Sequence, residues 1–255
     1  MILKEIDDRR EILQALNTLL KHPKIYQNIK RKIRYEIANI KKGWENERKC
    51  AYYIDTYYKD RKSVYVIHDL RIELDDIRVQ IDHLVITHFD ITILESKYFS
   101  SNLHYNEENK EFYIKTKIGK EIGIENPIKQ AERQKYNLSR VIRAKKLFLP
   151  PQLDYYVLVS PSVRFKGKMP EKILKADTFI DKFREEDGKL SKFIKDLFSV
   201  RFKVKDEIQK LLDLHKPLTV DYFLRKFNLE WTKDWLNSEM FKEKDRIKLK
   251  KRKYY

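Results

Sequence analysis

Val79-Gln80-Ile81-Asp82-His83-Leu84-Val85-Ile86-Thr87-His88-Phe89-Asp90-Ile91-Thr92-Ile93-Leu94-Glu95-Ser96-Lys97 decides how this chain is read. Two apolar runs flank a tight bend at His88-Phe89-Asp90, the pattern of paired strands. Side chains alternate faces along a strand, so Gln80, Asp82 and Leu84 are expected on one face of the first, and Ile91, Ile93, Glu95 and Lys97 on one face of the second. Two carboxylates and a lysine therefore sit where strands otherwise call for apolar residues. Burying unpaired charge is costly, and a divalent cation offsets that cost. Mg²⁺, or Mn²⁺ in its place, suits such a pair, because it takes one or two protein carboxylates and fills its other positions with water and phosphate oxygens. Lys97, two residues beyond Glu95, is placed to orient or deprotonate a water, or to counter negative charge on a reacting phosphate.

Further pieces lie on both sides of this stretch. Lys42-Gly43 is followed by Glu47, whose helical partners at three- and four-residue spacing are Ala51, Ile54 and Tyr58. His68-Asp69-Leu70 closes a strand from Val64. Asn126-Pro127-Ile128 leads to Gln130 at the start of a helix. Together with Gln80-Ile81-Asp82-His83-Leu84-Val85-Ile86 and Glu95-Ser96-Lys97, these pieces resemble the PD-(D/E)xK nuclease superfamily, and more closely the nuclease-related domain known as NERD. The resemblance covers roughly residues 41–145 and extends toward 200. Ser96 stands where the family commonly has Thr, and Asn46 where it commonly has Gly before the helical Glu.

The resemblance implies an α/β fold with a restriction-endonuclease-like mixed central sheet flanked by helices. It implies Asp82, Glu95 and Glu47 as metal ligands, with Lys97 completing the catalytic set. Gln80 and Gln130 would contact substrate or water. The implied activity is a Mg²⁺-dependent deoxyribonuclease. The rival is a catalytically inactive nucleic-acid-binding module on the same scaffold, since fold does not fix function; retention of Asp82, Glu95 and Lys97 argues against it.

The chain has 255 residues and a net charge of +17, a field that favours polyanions such as nucleic acid. DNA is the expected substrate ahead of RNA. No run of about 18 apolar residues suggests a membrane span. The start of the chain has no signal-like apolar region, and the single cysteine, Cys50, allows no internal disulfide and no cysteine-based zinc site. These features point to the cytoplasm. A homodimer would suit a double-strand cutter, and any helicase or defence partner would be a separate chain, because no ATPase motif is present.

In chain order, apolar spacing predicts a helix over 2–21, broken at His22-Pro23, and a second carrying Ile29, Ile33, Ile37 and Ile40. A new helix is expected from Gly43 to Lys59. Turns at Asn109-Lys110 and Ile118-Gly119-Lys120 predict a β-ribbon, with Tyr105, Phe112 and Tyr113 interleaved among lysines as in backbone-tracking surfaces. Asn126 and Pro127 start a helix running to Ala144. Tyr155–Val159 reads as a covered strand. Asp177 is a candidate cap for a short helix, a longer helix is expected over 189–214, and Thr219 is a candidate cap for another, with Trp231 and Trp235 anchoring the last turn. The organisation expected is a helical hairpin over 1–42, the nuclease-like domain over 43–200, and a helical extension over 201–255. Residues 1–42 hold 11 basic and 5 acidic side chains and residues 242–253 hold 8 and 2, so each end carries +6. The second run is expected to be a mobile arm that makes nucleic-acid affinity salt-dependent.

Overall fold

A computed structural model describes residues 1–99, 102–116, 118–181, 183 and 201–252. Contacts divide the chain into two compact units, one of residues 1–6 and 45–216, the other of residues 7–44 and 217–255.

The first unit is built on a six-stranded mixed sheet. Its strands are β1 (Ile2–Lys4), β2 (Tyr65–Leu74), β3 (Ile77–Ile86), β4 (Asp90–Lys97), β8 (Gln152–Val159) and β10 (Ile173–Lys175), and this is also their spatial order. The β2–β3–β4 meander is antiparallel. The pairs β1–β2, β4–β8 and β8–β10 are parallel. The helix α3 (Pro127–Ala144) packs Leu138 and Val141 on a core that includes Ile67, Ile81, Leu84, Ile91 and Ile93. The same core takes Val204, Ile208 and Leu211 from α4 (Arg201–Leu212). A second cluster places Cys50, Ile54 and Tyr58, from the later part of α2 (Gln27–Tyr58), against Val66, Val85, Leu94, Tyr156 and Leu158. This is the mixed sheet flanked by helices that the resemblance implied. A four-stranded sheet, ordered β7 (Glu121–Ile124), β6 (Glu111–Lys115), β5 (Leu103–Asn106) and β9 (Phe165–Lys166), contains the expected ribbon. Its turns fall at Lys110 and Gly119, which adopt φ of 58° and 81°. At Gly119 the missing Cβ is what makes that conformation inexpensive.

In the second unit, α1 (Arg10–Leu19) buries Ile12, Ala15, Leu16 and Leu19. Ile33 and Ile37 of α2 join them, as do Phe223 and Leu224 of α5 (Val220–Lys226) and Leu236 and Met240 of α6 (Lys233–Arg252). Thr219 caps α5 by accepting from the Tyr222 N–H, and both Trp231 and Trp235 meet the His22 ring edge-on.

Several expectations need correction. Residues 2–4 are a strand paired with β2, and α1 begins only at Arg10. A short apolar start looks alike in strand and helix until its partner is known. The helices expected on either side of Gly43 are one continuous α2; an internal glycine costs about 1 kcal/mol relative to alanine, too little to break a helix packed along its length. The basic run expected to be a mobile arm continues α6 to Arg252, and its lysines and arginines are good helix formers. Residues 189–200 of the expected long helix lie outside the described residues. Among the described residues, no helix is long and apolar enough to cross a membrane.

Candidate metal centre

The site forms where β3 and β4 part. Their ladder runs from Ile86 opposite Ile91 to His83 opposite Leu94. One rung further, the same register would set Asp82 across from Glu95. There the ladder ends, and the Ser96 N–H donates instead to Asp82 Oδ2 at 2.8 Å. Asp82 and Glu95 are 8% and 3% exposed. On the other side of β3, the pairs His68–His83 and Leu70–Ile81 bracket Asp69 and Asp82. Asp69 is buried, has φ of 50°, and is bound to Arg71 Nε at 3.0 Å. Aspartate is one of the few residues that tolerate this left-handed conformation.

This break switches the face each strand presents to the main core. Tyr65 and Ile67, then Leu70 and Ile72, enter it from β2; Val79 and Ile81, then Leu84 and Ile86, enter it from β3. The expected common face of Gln80, Asp82 and Leu84 is therefore wrong, because Gln80 is exposed while Leu84 lies in the core. Period-two alternation fails at Asp82. On β4 it holds, and Glu95 and Lys97 meet.

Glu95 Oε1 accepts from Lys97 Nζ at 3.1 Å and from Gln130 Nε2 at 2.8 Å. Its other oxygen, Oε2, is buried with no hydrogen-bond partner. Burial, then the charge of Asp82, pushes the Glu95 pKa up to about 8 against the pull of Lys97. Burial likewise raises Asp82, opposed by Lys97, the Ser96 N–H and Arg71, with Asp69 adding to the rise. Two facing carboxylates disfavour each other's ionised form. An oxygen-only donor set with an orphaned buried lone pair fits a hard divalent cation, with Asp82 and Glu95 as the residues that would hold it.

Glu47, half-buried on α2, raises the Glu95 pKa through its charge. The three carboxylates do not form a compact triad with all ligand atoms within 4.8 Å of one another. Gln130 reaches Glu95 because Asn126 accepts from the Ile128 and Lys129 N–H groups and fixes the start of α3. One and two turns later, Gln134 Oε1 accepts from the Gln80 N–H at 2.9 Å and Asn137 Nδ2 donates to the Arg78 carbonyl at 2.8 Å. Helix side chains thus fill the fork where β3 has lost β4.

His68 and His83 are fully buried and face each other through their Nδ1 atoms at 2.7 Å. His68 Nε2 meets Asp55 Oδ1 at 2.9 Å, and His83 Nε2 meets Ser96 Oγ at 2.8 Å. Burial holds the His83 pKa well below its ordinary value. Burial pushes the Cys50 thiol up to about 12. Ligand atoms of Glu5, Asp55 and His68 also lie within 4.8 Å of one another. Sequence spacing offers no signal for this cluster, because its members come from three separated segments. His104 is structural, stacked on Tyr113 at 4.8 Å.

Comparison with curated proteins and with solved structures found no match. A family model does match, over residues 42–160, and its description is "Nuclease-related domain". The span includes Glu47, Asp69, Asp82, Glu95, Lys97 and Gln130, agrees with the resemblance carried by the sequence motifs, and is compatible with a PD-(D/E)xK-like fold. Over residues 42–160 this chain is similar to the nuclease-related domain, NERD.

Proposed function

We propose that this protein is a metal-dependent nuclease that hydrolyses phosphodiester bonds of DNA, with Mg²⁺, or Mn²⁺ in its place, held by Asp82 and Glu95. The observation that carries the reading is Glu95 Oε2, buried without a partner beside a second buried carboxylate and two residues before Lys97. A nuclease-related domain and a charge of +17 favour a nucleic-acid substrate. The chemistry belongs to the segment 43–200, and the basic character of both ends of the chain favours a polyanion in a cytoplasmic setting.

A bound divalent cation supplies Lewis-acid polarisation of the phosphate. Asp82 and Glu95 hold that charge in place, and the Ser96 N–H keeps the Asp82 carboxylate aimed. Gln130 pins Glu95 Oε1 so that Oε2 stays directed into the site. Lys97 Nζ, partly open to solvent, stands beside Glu95 to orient the attacking water and offset negative charge as water adds to phosphorus and the ester P–O bond breaks. Glu47 lies at longer reach and serves as a base or outer partner rather than as a third ligand in a compact triad.

The test is cleavage of plasmid and linear DNA with Mg²⁺, Mn²⁺ or EDTA by wild-type protein, Asp82→Ala and Lys97→Ala. Metal-dependent cutting lost in both variants is expected. Binding without cutting by all three proteins would replace the nuclease by an inactive binding module.

A further inference from the structure

Behind the carboxylates, the buried histidines join an outer carboxylate to the residue between Glu95 and Lys97. We propose that Asp55, His68, His83 and Ser96 form a one-way hydrogen-bonded column that positions the metal-site end of β4, with His68 carrying its proton on Nε2 and His83 on Nδ1. The positioning role rests on the nuclease reading above; the proton assignments do not.

The direction follows from what each atom can offer. Asp55, whose side chain is 24% exposed, is an acceptor when ionised. His68 Nε2 must then donate across the 2.9 Å contact. A neutral imidazole has one donor and one acceptor nitrogen, so His68 Nδ1 accepts. The 2.7 Å contact between the two Nδ1 atoms needs a proton, which His83 Nδ1 supplies. His83 Nε2 is left as an acceptor, and the Ser96 hydroxyl donates to it at 2.8 Å. Neither ring has exposed surface through which water could replace a lost partner. A buried polar chain of this kind is rigid only when every member is satisfied. Ser96 is the point of delivery: its hydroxyl is fixed by the column, and its backbone N–H holds Asp82.

Asp55 is a positioning residue that touches neither Asp82 nor Glu95 in this chain of contacts. Removing its acceptor frees the His68 ring to turn over, and the change travels to Ser96. Outer partners of metal ligands typically matter by 10–100-fold in affinity; at three contacts' remove the expected loss is roughly fivefold.

Two measurements on the full chain test this. Long-range ¹H–¹⁵N spectra at pH 7 should show His68 protonated on Nε2 and His83 on Nδ1. A doubly protonated His68 with His83 protonated on Nε2 would overturn the direction. Calorimetric titration with Mn²⁺ should show roughly fivefold weaker binding for Asp55→Ala and wild-type binding, within about twofold, for Asp55→Asn, whose amide oxygen still accepts. Glu5→Gln tests the outer cluster and should bind as wild type does. Equal affinity in Asp55→Ala and wild type would overturn the positioning role and leave the nuclease reading standing. Loss in Glu5→Gln equal to that in Asp55→Ala would also overturn it, placing the ion on Glu5, Asp55 and His68. Wild-type protein that binds no Mn²⁺ would overturn the metal-dependent reading together with the positioning role.

Discussion

Glu95 holds its proton near neutrality because burial and the charge of Asp82 outweigh Lys97. In the unfolded chain the same carboxyl ionises near its ordinary value of 4.5. Between about 4.5 and 8 the metal-free folded protein therefore binds more protons than the unfolded one, and stability falls as pH rises. This contribution is fully present below the unfolded pKa and is gone once pH has passed the folded one. Urea midpoints measured from pH 5 to pH 8 should decline, and Glu95→Gln should flatten the decline; a wild-type midpoint that rises across this range would sink the account. A metal binds the ionised form, so Mn²⁺ titrations at pH 7 in buffers of different ionisation enthalpy should show release approaching one proton, vanishing by about pH 9. The chemistry of Asp82, Glu95 and Lys97 was legible because charge on apolar strands is conspicuous. Asp69 was not, because its contribution lies in a backbone dihedral, and Asp55 was not, because nothing local links it to His68 thirteen residues away.

Helix α3 serves the site through its first turn as much as through its apolar face. Asn126 accepts two backbone N–H groups, Pro127 occupies the first helical position, and Gln130 then points at Glu95. Replacing Asn126 by alanine should cost about 1 kcal/mol of stability, read as a lower urea midpoint with an unchanged slope. Because that turn carries Gln130, Mn²⁺ affinity should fall in the same variant; unaltered binding would mean that Ala131, Leu138 and Val141 hold the helix in register without its cap. The signal for this element is strong in the sequence, since Asn-Pro before an amphipathic run has a direct stereochemical meaning. The divergence of β3 from β4 carries no such signal. Both strands stay extended through the fork, and only the partners Gln134 and Asn137 reveal that the β3 backbone bonds to helix side chains there.

The second unit shows what composition reveals about a whole molecule and what it conceals. The basic character of both ends is plain from the sequence. That residues 7–44 and 217–255 bury one core is not, because an amphipathic face states that it needs cover without naming its partner. Phe223, Leu224, Phe227, Leu229, Leu236 and Met240 pack with Ile12, Leu16, Leu19, Ile33 and Ile37. Burial of a large apolar side chain contributes about 1.5–3 kcal/mol, so the six residues from the C-terminal segment together rival the roughly 5–15 kcal/mol that separates folded from unfolded domains. A chain ending at Lys216 should accordingly lose slow amide exchange through α1 and residues 27–40 of α2. Ile81, Leu84, Ile91 and Ile93, covered within the other unit by Leu138, Val141, Val204 and Ile208, should stay protected. Slow exchange surviving in α1 would show that it and α2 are stable without the C-terminal helices, and the shared core would then be an accessory to two helices that already suffice.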